Sequence, residues 1–222
     1  MIDVAQCWQI LPVDQASILE IRALWPKGIE PGQKRTSVFE HFYRSDFESV
    51  EDLKFAFECK AEALNNAGYN VYTPLNRIAH IEPGYAVKDH GISKIQLLLI
   101  DIDRTSNTSC PATDTEVEAA KQLGQQIKRF LETQGWPDPK QVMSGNGWHL
   151  LYPMNNLDAT KEAKDFVRGV LVALAIKFDN DVVCVDRNVF NSSRITKVPG
   201  TLARKGQATE ERPYRIARVF NG

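Results

Sequence analysis

Two carboxylates stand two residues apart at the end of the run Leu97-Leu98-Leu99-Ile100-Asp101-Ile102-Asp103. A short apolar run of this kind, entered from Ile95 and ending in charge, predicts a buried β-strand. Residues i and i+2 of a strand point to one face, so Asp101 and Asp103 are expected side by side. Like charges held that close repel appreciably at a protein-like dielectric unless a cation lies between them. Hard divalent ions such as Mg²⁺ take carboxylate oxygen and keep positions open for water and phosphate. The pair reads either as a metal site at a strand end or as one turn-capping Asp beside a solvated one.

The elements around this strand can be read from periodicity and punctuation. Residues 14–25 predict a helix with Ile18, Ile21 and Trp25 on one face and Pro26 as its stop. Residues 36–42 alternate like a strand. Ser49 with Asp52 opens a second helix that Gly68 closes. Residues 70–75 predict a short strand, and the turn-rich residues 82–91 make the best internal boundary. Thr113 with Glu116 forms a capping box for a helix over 114–134, whose inner stripe is Val117, Ala120, Ile127 and Leu131. Residues 141–143 and 148–153 are two strands around the turn Ser144-Gly145-Asn146-Gly147. Asp158 is expected to cap a helix to Phe178 with Phe166, Val170, Leu171 and Leu174 inward. Residues 182–185 and 194–199 are extended, and residues 214–220 are strand-like.

From residue 90 onward the order β-α-β-β-α-β is that of a ferredoxin-like or RNA-recognition-motif-like (RRM-like) sheet. The fold class is thus α/β (α+β), with an N-terminal α/β module over residues 1–89 and an RRM-like lobe over 90–222. In such a sheet the first and third strands are antiparallel neighbours, which sets Asp101 and Asp103 beside Ser144 and His149. With residues 194–199 as fourth strand, Asp186 loops back to the same end. With residues 182–185 in that place, Asp186 is expected at the far end.

Composition narrows the class. The 222 residues are 43% hydrophobic and 25% charged, ordinary for a globular protein. No apolar run reaches the ~20 residues of a membrane span, so no membrane partner is expected. Met1-Ile2-Asp3-Val4 lacks the start of a signal peptide. Cys7, Cys59, Cys110 and Cys184 show no C-x-x-C spacing, so no zinc is expected and reduced thiols in the cytoplasm are the reading. The net charge of −1 hides an asymmetry: from Asp186 onward eight Lys/Arg face three Asp/Glu, a tail of +5. Such a tail is either a surface for a phosphate-bearing partner or a solvated face.

Taken together, Asp101-Ile102-Asp103, Ser144 through His149, and Val185-Asp186 resemble the three motifs of the archaeo-eukaryotic primase superfamily. Residues 189–201 are similar to the segment after the third motif in plasmid, phage and mobile-element primase-polymerases, and the resemblance runs from Leu97 to about Arg215. Ser144 and His149 lie five apart rather than in a strict S-x-H. The resemblance implies a primase-polymerase domain that moves nucleotides from (d)NTPs to a 3′-hydroxyl on a single-stranded DNA template with a primer. It implies that Asp101, Asp103 and Asp186 are catalytic and hold two Mg²⁺ or Mn²⁺ ions. Ser144, Gly145, Gly147 and His149 then face the triphosphate, with Arg194 and Lys197 neutralising its charge. Three residues apart in a regular strand, those last two side chains face opposite ways, so one must sit on irregular backbone. A C-terminal helical or helicase domain or subunit is a further implied partner. The alternatives are a non-catalytic RRM-like nucleic-acid-binding module, or a metal-dependent nuclease using the same carboxylates. Gly145 and Gly147 serve equally as hairpin glycines, His149 as a core histidine, and Arg194 as a partner for Asp186.

Overall fold

A computed structural model describes residues 3–220; Met1 and Ile2 of the N-terminal segment, with Asn221 and Gly222, lie outside the described residues. In chain order the elements are β1 (Ile18–Leu24), β2 (Ser37–Tyr43), α1 (Val50–Asn66), β3 (Asn70–Pro74), β4 (Arg77–Ile78) and β5 (Ile92–Arg104). Next come α2 (Asp114–Thr133), β6 (Lys140–Met143), β7 (Trp148–Asp158), α3 (Lys161–Phe178), β8 (Val183–Val185), β9 (Ile195–Lys197), β10 (Leu202–Ala203), β11 (Arg215–Ile216) and β12 (Arg218–Phe220). The architecture is α+β, with two main antiparallel sheets sharing one apolar core.

The larger sheet is built on β5. It pairs β7 along its length and β8 at its end, while β6 pairs β7 on the far side and β12 adds outside β6. The spatial order β8-β5-β7-β6, with α2 and α3 as connections, is the ferredoxin-like arrangement read from the sequence. Thr113 and Glu116 cap α2 reciprocally, and Ala120, Leu123, Gly124, Ile127 and Leu131 are buried on it. A β-carbon on Gly124 would lie 2.8 Å from Trp148 Cδ1 and 3.4 Å from Ile102 Cδ1. Ile102 and Trp148 therefore face α2, and alternation turns their neighbours Asp101, Asp103 and His149 to the opposite face.

The fourth strand is a correction. It is Val183–Val185, not residues 194–199, yet Asp186 is not carried away from the carboxylate pair. Only three residues of β8 pair with β5, from Arg104 back to Ile102. The strand is too short to travel, and the Asp186 amide donates to the Asp101 carbonyl at 2.8 Å.

The second sheet has the order β2-β1-β3-β9. The helix expected over residues 14–25 is strand β1. Ile18, Ile21 and Trp25 have helical spacing, but Leu19, Ile21 and Ala23 alternate, and the strand lies between β2 and β3 with both edges bonded. Tertiary pairing overrode the local period. Helix α1 carries the expected Ser49–Asp52 capping box and buries Leu53, Phe57 and Ala61. Helix α3 is capped by Thr160 rather than Asp158, which ends β7 and pairs with Lys94. Its buried face is Ala163, Val167, Leu171, Leu174 and Ala175, leaving Phe166 49% exposed. Leu171 and Leu174 are inward as expected and Val170 is half-buried, while in the first turns Val167 takes the inward place expected for Phe166. Strand β9, drawn from the last quarter of the chain, pairs antiparallel with β3 and completes this sheet.

Candidate active site

The site forms where the ends of β5, β7 and β8 meet the second sheet. Asp101 and His149 are opposite one another in the β5–β7 register. His149 Nε2 stands 3.2 Å from Asp101 Oδ1, and Nδ1 stands 3.2 Å from Thr196 Oγ1 on β9, so the imidazole links the two sheets. Asp103 lies against the turn that joins β6 to β7. A β-carbon on Gly147 would sit 2.3 Å from Asp103 Oδ1 and 2.4 Å from the Ile102 carbonyl, so only glycine permits this approach. Gly145, at φ 104°, is likewise pressed against Ala203, which a β-carbon would meet at 2.3 Å. Ser144 closes the turn, its hydroxyl accepting from the Gly147 amide at 3.2 Å. The Gly145 amide points to Met143 Sδ at 3.0 Å. Both glycine amides thus have partners inside the turn, and the Asn146 side chain accepts from the Ala112 amide at 2.9 Å. These residues shape the wall beside Asp103 rather than presenting a free row of donors.

Burial and charge pull the two carboxylates apart. Burial pushes both up, but the His149 charge, with Arg194 and Lys205 beyond it, holds Asp101 below the ordinary carboxylate range. Asp103 is raised to about 6, by burial and then by the charge of Asp101. Burial disfavours a charged His149, but Asp101 more than offsets it and the imidazole is raised. Tyr72 of β3 faces the same pair: burial, then Asp101 and Asp103, push its phenol up to about 12. This tyrosine was not singled out by its sequence, because nothing local in Asn70–Pro74 points to two aspartates across a sheet.

The cations sort into three groups. Arg194 feels the charges of Asp186 and Asp101, although burial is the larger effect and lowers it. Its Nε donates to Asn191 Oδ1 and its Nη2 to the Asn188 carbonyl, both at 2.9 Å, so no direct ion pair with Asp186 forms. Nη1 has no protein partner among the described residues. Lys205, missed in the sequence, lies near Asp103 and Asp101, though burial outweighs them and moves its ammonium down. Lys197 is placed otherwise than expected. It is 3% exposed, donates to the Leu202 carbonyl (3.1 Å) and Asn70 Oδ1 (3.3 Å), and lies 5.3 Å from the Tyr72 ring centroid. Burial pushes its ammonium well down, and it presents no face to a phosphate. Much of the basic tail is also spent inside the chain. Arg187 pairs with Asp179 at 2.8 Å, Arg212 with Glu116 at 2.8 Å and Arg215 with Asp114 at 2.6 Å.

The donor set suits a hard cation. Asp101 Oδ1 is buried without a hydrogen-bond partner among the described residues, since His149 is near it but not aligned to donate. Beside it is a second carboxylate whose charge the protein alone leaves poorly compensated. Carboxylate oxygens in this state are what Mg²⁺ or Mn²⁺ binds. The third carboxylate is turned aside: Asp186 Oδ1 accepts from the Asn188 amide (2.8 Å) and Nδ2 (3.2 Å). Accordingly, among the described residues no three His, Cys, Asp or Glu side chains already close around a metal position.

No protein-family model matches the sequence, and no curated protein matches it. Solved structures do match the fold. The primase-polymerase domain of cyanophage S-2L superposes with a TM-score of 0.55 at 16% identity, covering 99% of this chain and 90% of that one. The polymerase domain of Mycobacterium tuberculosis ligase D, solved in complex with DNA, gives 0.54 at 16% identity over 96% and 78%. Primase RepB′ gives 0.52 at 12% identity, covering 98% of this chain and 56% of that one. The fold is of the archaeo-eukaryotic primase type. In this primase-type fold the likeness spans nearly the whole chain, including the three N-terminal strands and β9, well beyond the motifs from Leu97 onward.

Proposed function

We propose that this chain is a template-directed nucleotidyltransferase, a primase-polymerase core that joins (d)NTPs to a primer 3′-hydroxyl on a DNA template. One observation carries the reading: two strand-end carboxylates, one with an unsatisfied buried oxygen, face a histidine and an anchored arginine. Fold likeness to two polymerase domains and a primase, one of them solved with DNA, supports the same reaction class. In this reading Asp101 and Asp103 hold Mg²⁺ or Mn²⁺, and Asp186 joins them once its side chain leaves Asn188. The bound ions supply charge neutralisation for the attacking hydroxyl and the leaving pyrophosphate. Arg194, fixed through Nε and Nη2, offers Nη1 to a phosphate oxygen. His149 supports Asp101 and stands at the triphosphate side, and Lys205 supplies positive charge beside Asp103. Lys197 is assigned no contact with phosphate.

A non-catalytic RRM-like module stacks bases on exposed sheet aromatics. Here the residues of β5 and β7 on the face away from α2 include Leu99, Asp101, Asp103, His149 and Leu151, none of them a Phe, Tyr or Trp. Incubation with primed template, nucleotides and Mn²⁺ separates the readings: a longer primer supports transfer, an unchanged one a binding module, a shorter one a nuclease. Asp101→Ala is expected to abolish extension, and near-normal extension by that variant would overturn the assignment.

A further inference from the structure

Residues 79–91, between β4 and β5, contribute no residue to the site as built from the strand ends. They are nonetheless tied to β1 at one point and to the segment that carries Arg194 at another. Val87 donates its amide to Glu20 Oε2 (2.6 Å), and its carbonyl accepts from Arg22 Nη2 (3.2 Å), whose Nε bonds Glu20 Oε1 (2.8 Å). Two residues on, Asp89 Oδ1 accepts from the Ser193 amide (3.0 Å) and hydroxyl (2.8 Å), with Asn191 Nδ2 at 3.5 Å. Its Oδ2 lies 3.4 Å from Lys164 Nζ on α3. Asn191 holds Arg194 Nε, Asn188 holds Arg194 Nη2, and Asn188 also holds Asp186. One run of hydrogen bonds leads from Asp89 through Arg194 to the third carboxylate.

We propose that Asp89 is a positioning residue: through Ser193 and Asn191 it sets where the Arg194 guanidinium stands, and so how tightly the site holds a nucleoside triphosphate. The inference rests on the nucleotidyl-transfer reading above. The connection between β8 and β9 has almost no regular structure, so side-chain bonds must fix it. A carboxylate accepting several donors at once is the stronger kind of anchor. Burial pushes the Asp89 carboxyl up, but the Ser193 bonds and the Lys164 charge prevail and hold it below the ordinary range. The stretch has its own apolar anchor in Ile78, Ile81, Val87 and Ile92, so it stays in place when the carboxylate is removed.

The test uses the full chain, a fluorescent dNTP with Mn²⁺ for direct binding, and extension of a primed template for kinetics. Asp89→Ala should raise nucleotide Kd and KM about tenfold while kcat stays within about twofold, the pattern of lost ground-state binding. Affinity for the primed template should not move. Asp89→Asn keeps an oxygen for Ser193 and should recover most of the loss. In an Arg194→Ala background, Asp89→Ala should add nothing, because its route is already cut. Should Asp89→Ala fail to fold, Asn191→Ala cuts the same run further on and should reproduce the KM effect. Additive losses in the double variant, or a lowered Tm with KM unchanged, would overturn the role. A wild-type chain that neither binds nucleotide nor extends a primer would overturn the functional reading, and this inference with it.

Discussion

Replacing Asp103 by asparagine should abolish extension and, in the absence of metal, make the protein more stable. The folded chain holds this carboxyl at about 6, against 3.8 for the free group. Each pH unit of difference is worth about 1.4 kcal/mol, so at neutral pH the ionised side chain costs the fold roughly 3 kcal/mol. Asn keeps the shape and removes both the desolvated charge and its repulsion with Asp101. Part of the gain is returned because the amide must find hydrogen-bond partners beside Gly147, which leaves about 2 kcal/mol. For a chain of this length that is roughly 4–8 °C in Tm. The pH dependence has a definite sign. Below about 3.8 both states are protonated and the two proteins should differ least. As pH rises from about 4 to about 6 the unfolded wild type releases a proton that the folded one retains, so wild type loses stability relative to Asp103→Asn. The assay is thermal melting with chelator between about pH 4 and 8, repeated with Mn²⁺. Wild type should gain Tm with Mn²⁺ and the variant should gain little. A variant that melts at or below wild type at about pH 7.5 with chelator would refute the argument that this pair is poised for a cation.

Gly147→Ala should cost about 1–3 kcal/mol in urea denaturation and reduce extension, since its β-carbon displaces either Asp103 or the Ile102 carbonyl. Glu116→Ala should destabilise by about 2–4 kcal/mol, because it leaves the buried Arg104 guanidinium, 3.2 Å away, and Arg212 without their carboxylate. Burial raises Glu116 but Arg212, the Thr113 amide and Arg104 hold it below 4.5, so this contribution is present above that pH and lost as acid protonates it; a pH melt of the variant should be flatter below 4.5. Lys197→Met should leave nucleotide KM within about twofold, read from extension kinetics, since the ammonium is internal and desolvated.

The Asp101–Asp103 strand was legible because burial and alternation are local properties of seven residues. Both capping boxes on α1 and α2 were legible for the same reason: each is a four-residue device. What failed depended on distant partners. Glu20 is fully buried in β1, and nothing around it announces that Arg22 and the amide of Val87 will satisfy it. The helical spacing of Ile18, Ile21 and Trp25 before Pro26 therefore favours a helix over a strand bonded on both edges. Lys197 obeys a similar logic. Its neighbours suggest a phosphate contact, whereas its partners Asn70 and Leu202 come from opposite sides of a fold assembled later. Lys205 and Tyr72 reach the aspartates only through packing between sheets, a relation with no spacing in the chain.

The pairing of β9 with β3 bears on how the protein is made. Tyr72 meets Lys197 and Pro74 meets Ile195, partners separated by more than half of the chain. As the polypeptide leaves the ribosome, β1 to β3 emerge with the β3 edge open, and β9 follows only after α2, α3 and the strands between them. Contacts this distant close slowly because a long loop must be ordered first. Until then the β3 edge is a template for any other extended chain. Thr196 sits on β9 and meets His149, so the strand that seals this edge also brings the two halves of the site together. An incompletely translated chain should thus be both aggregation-prone and inactive, and activity should appear only as the edge disappears.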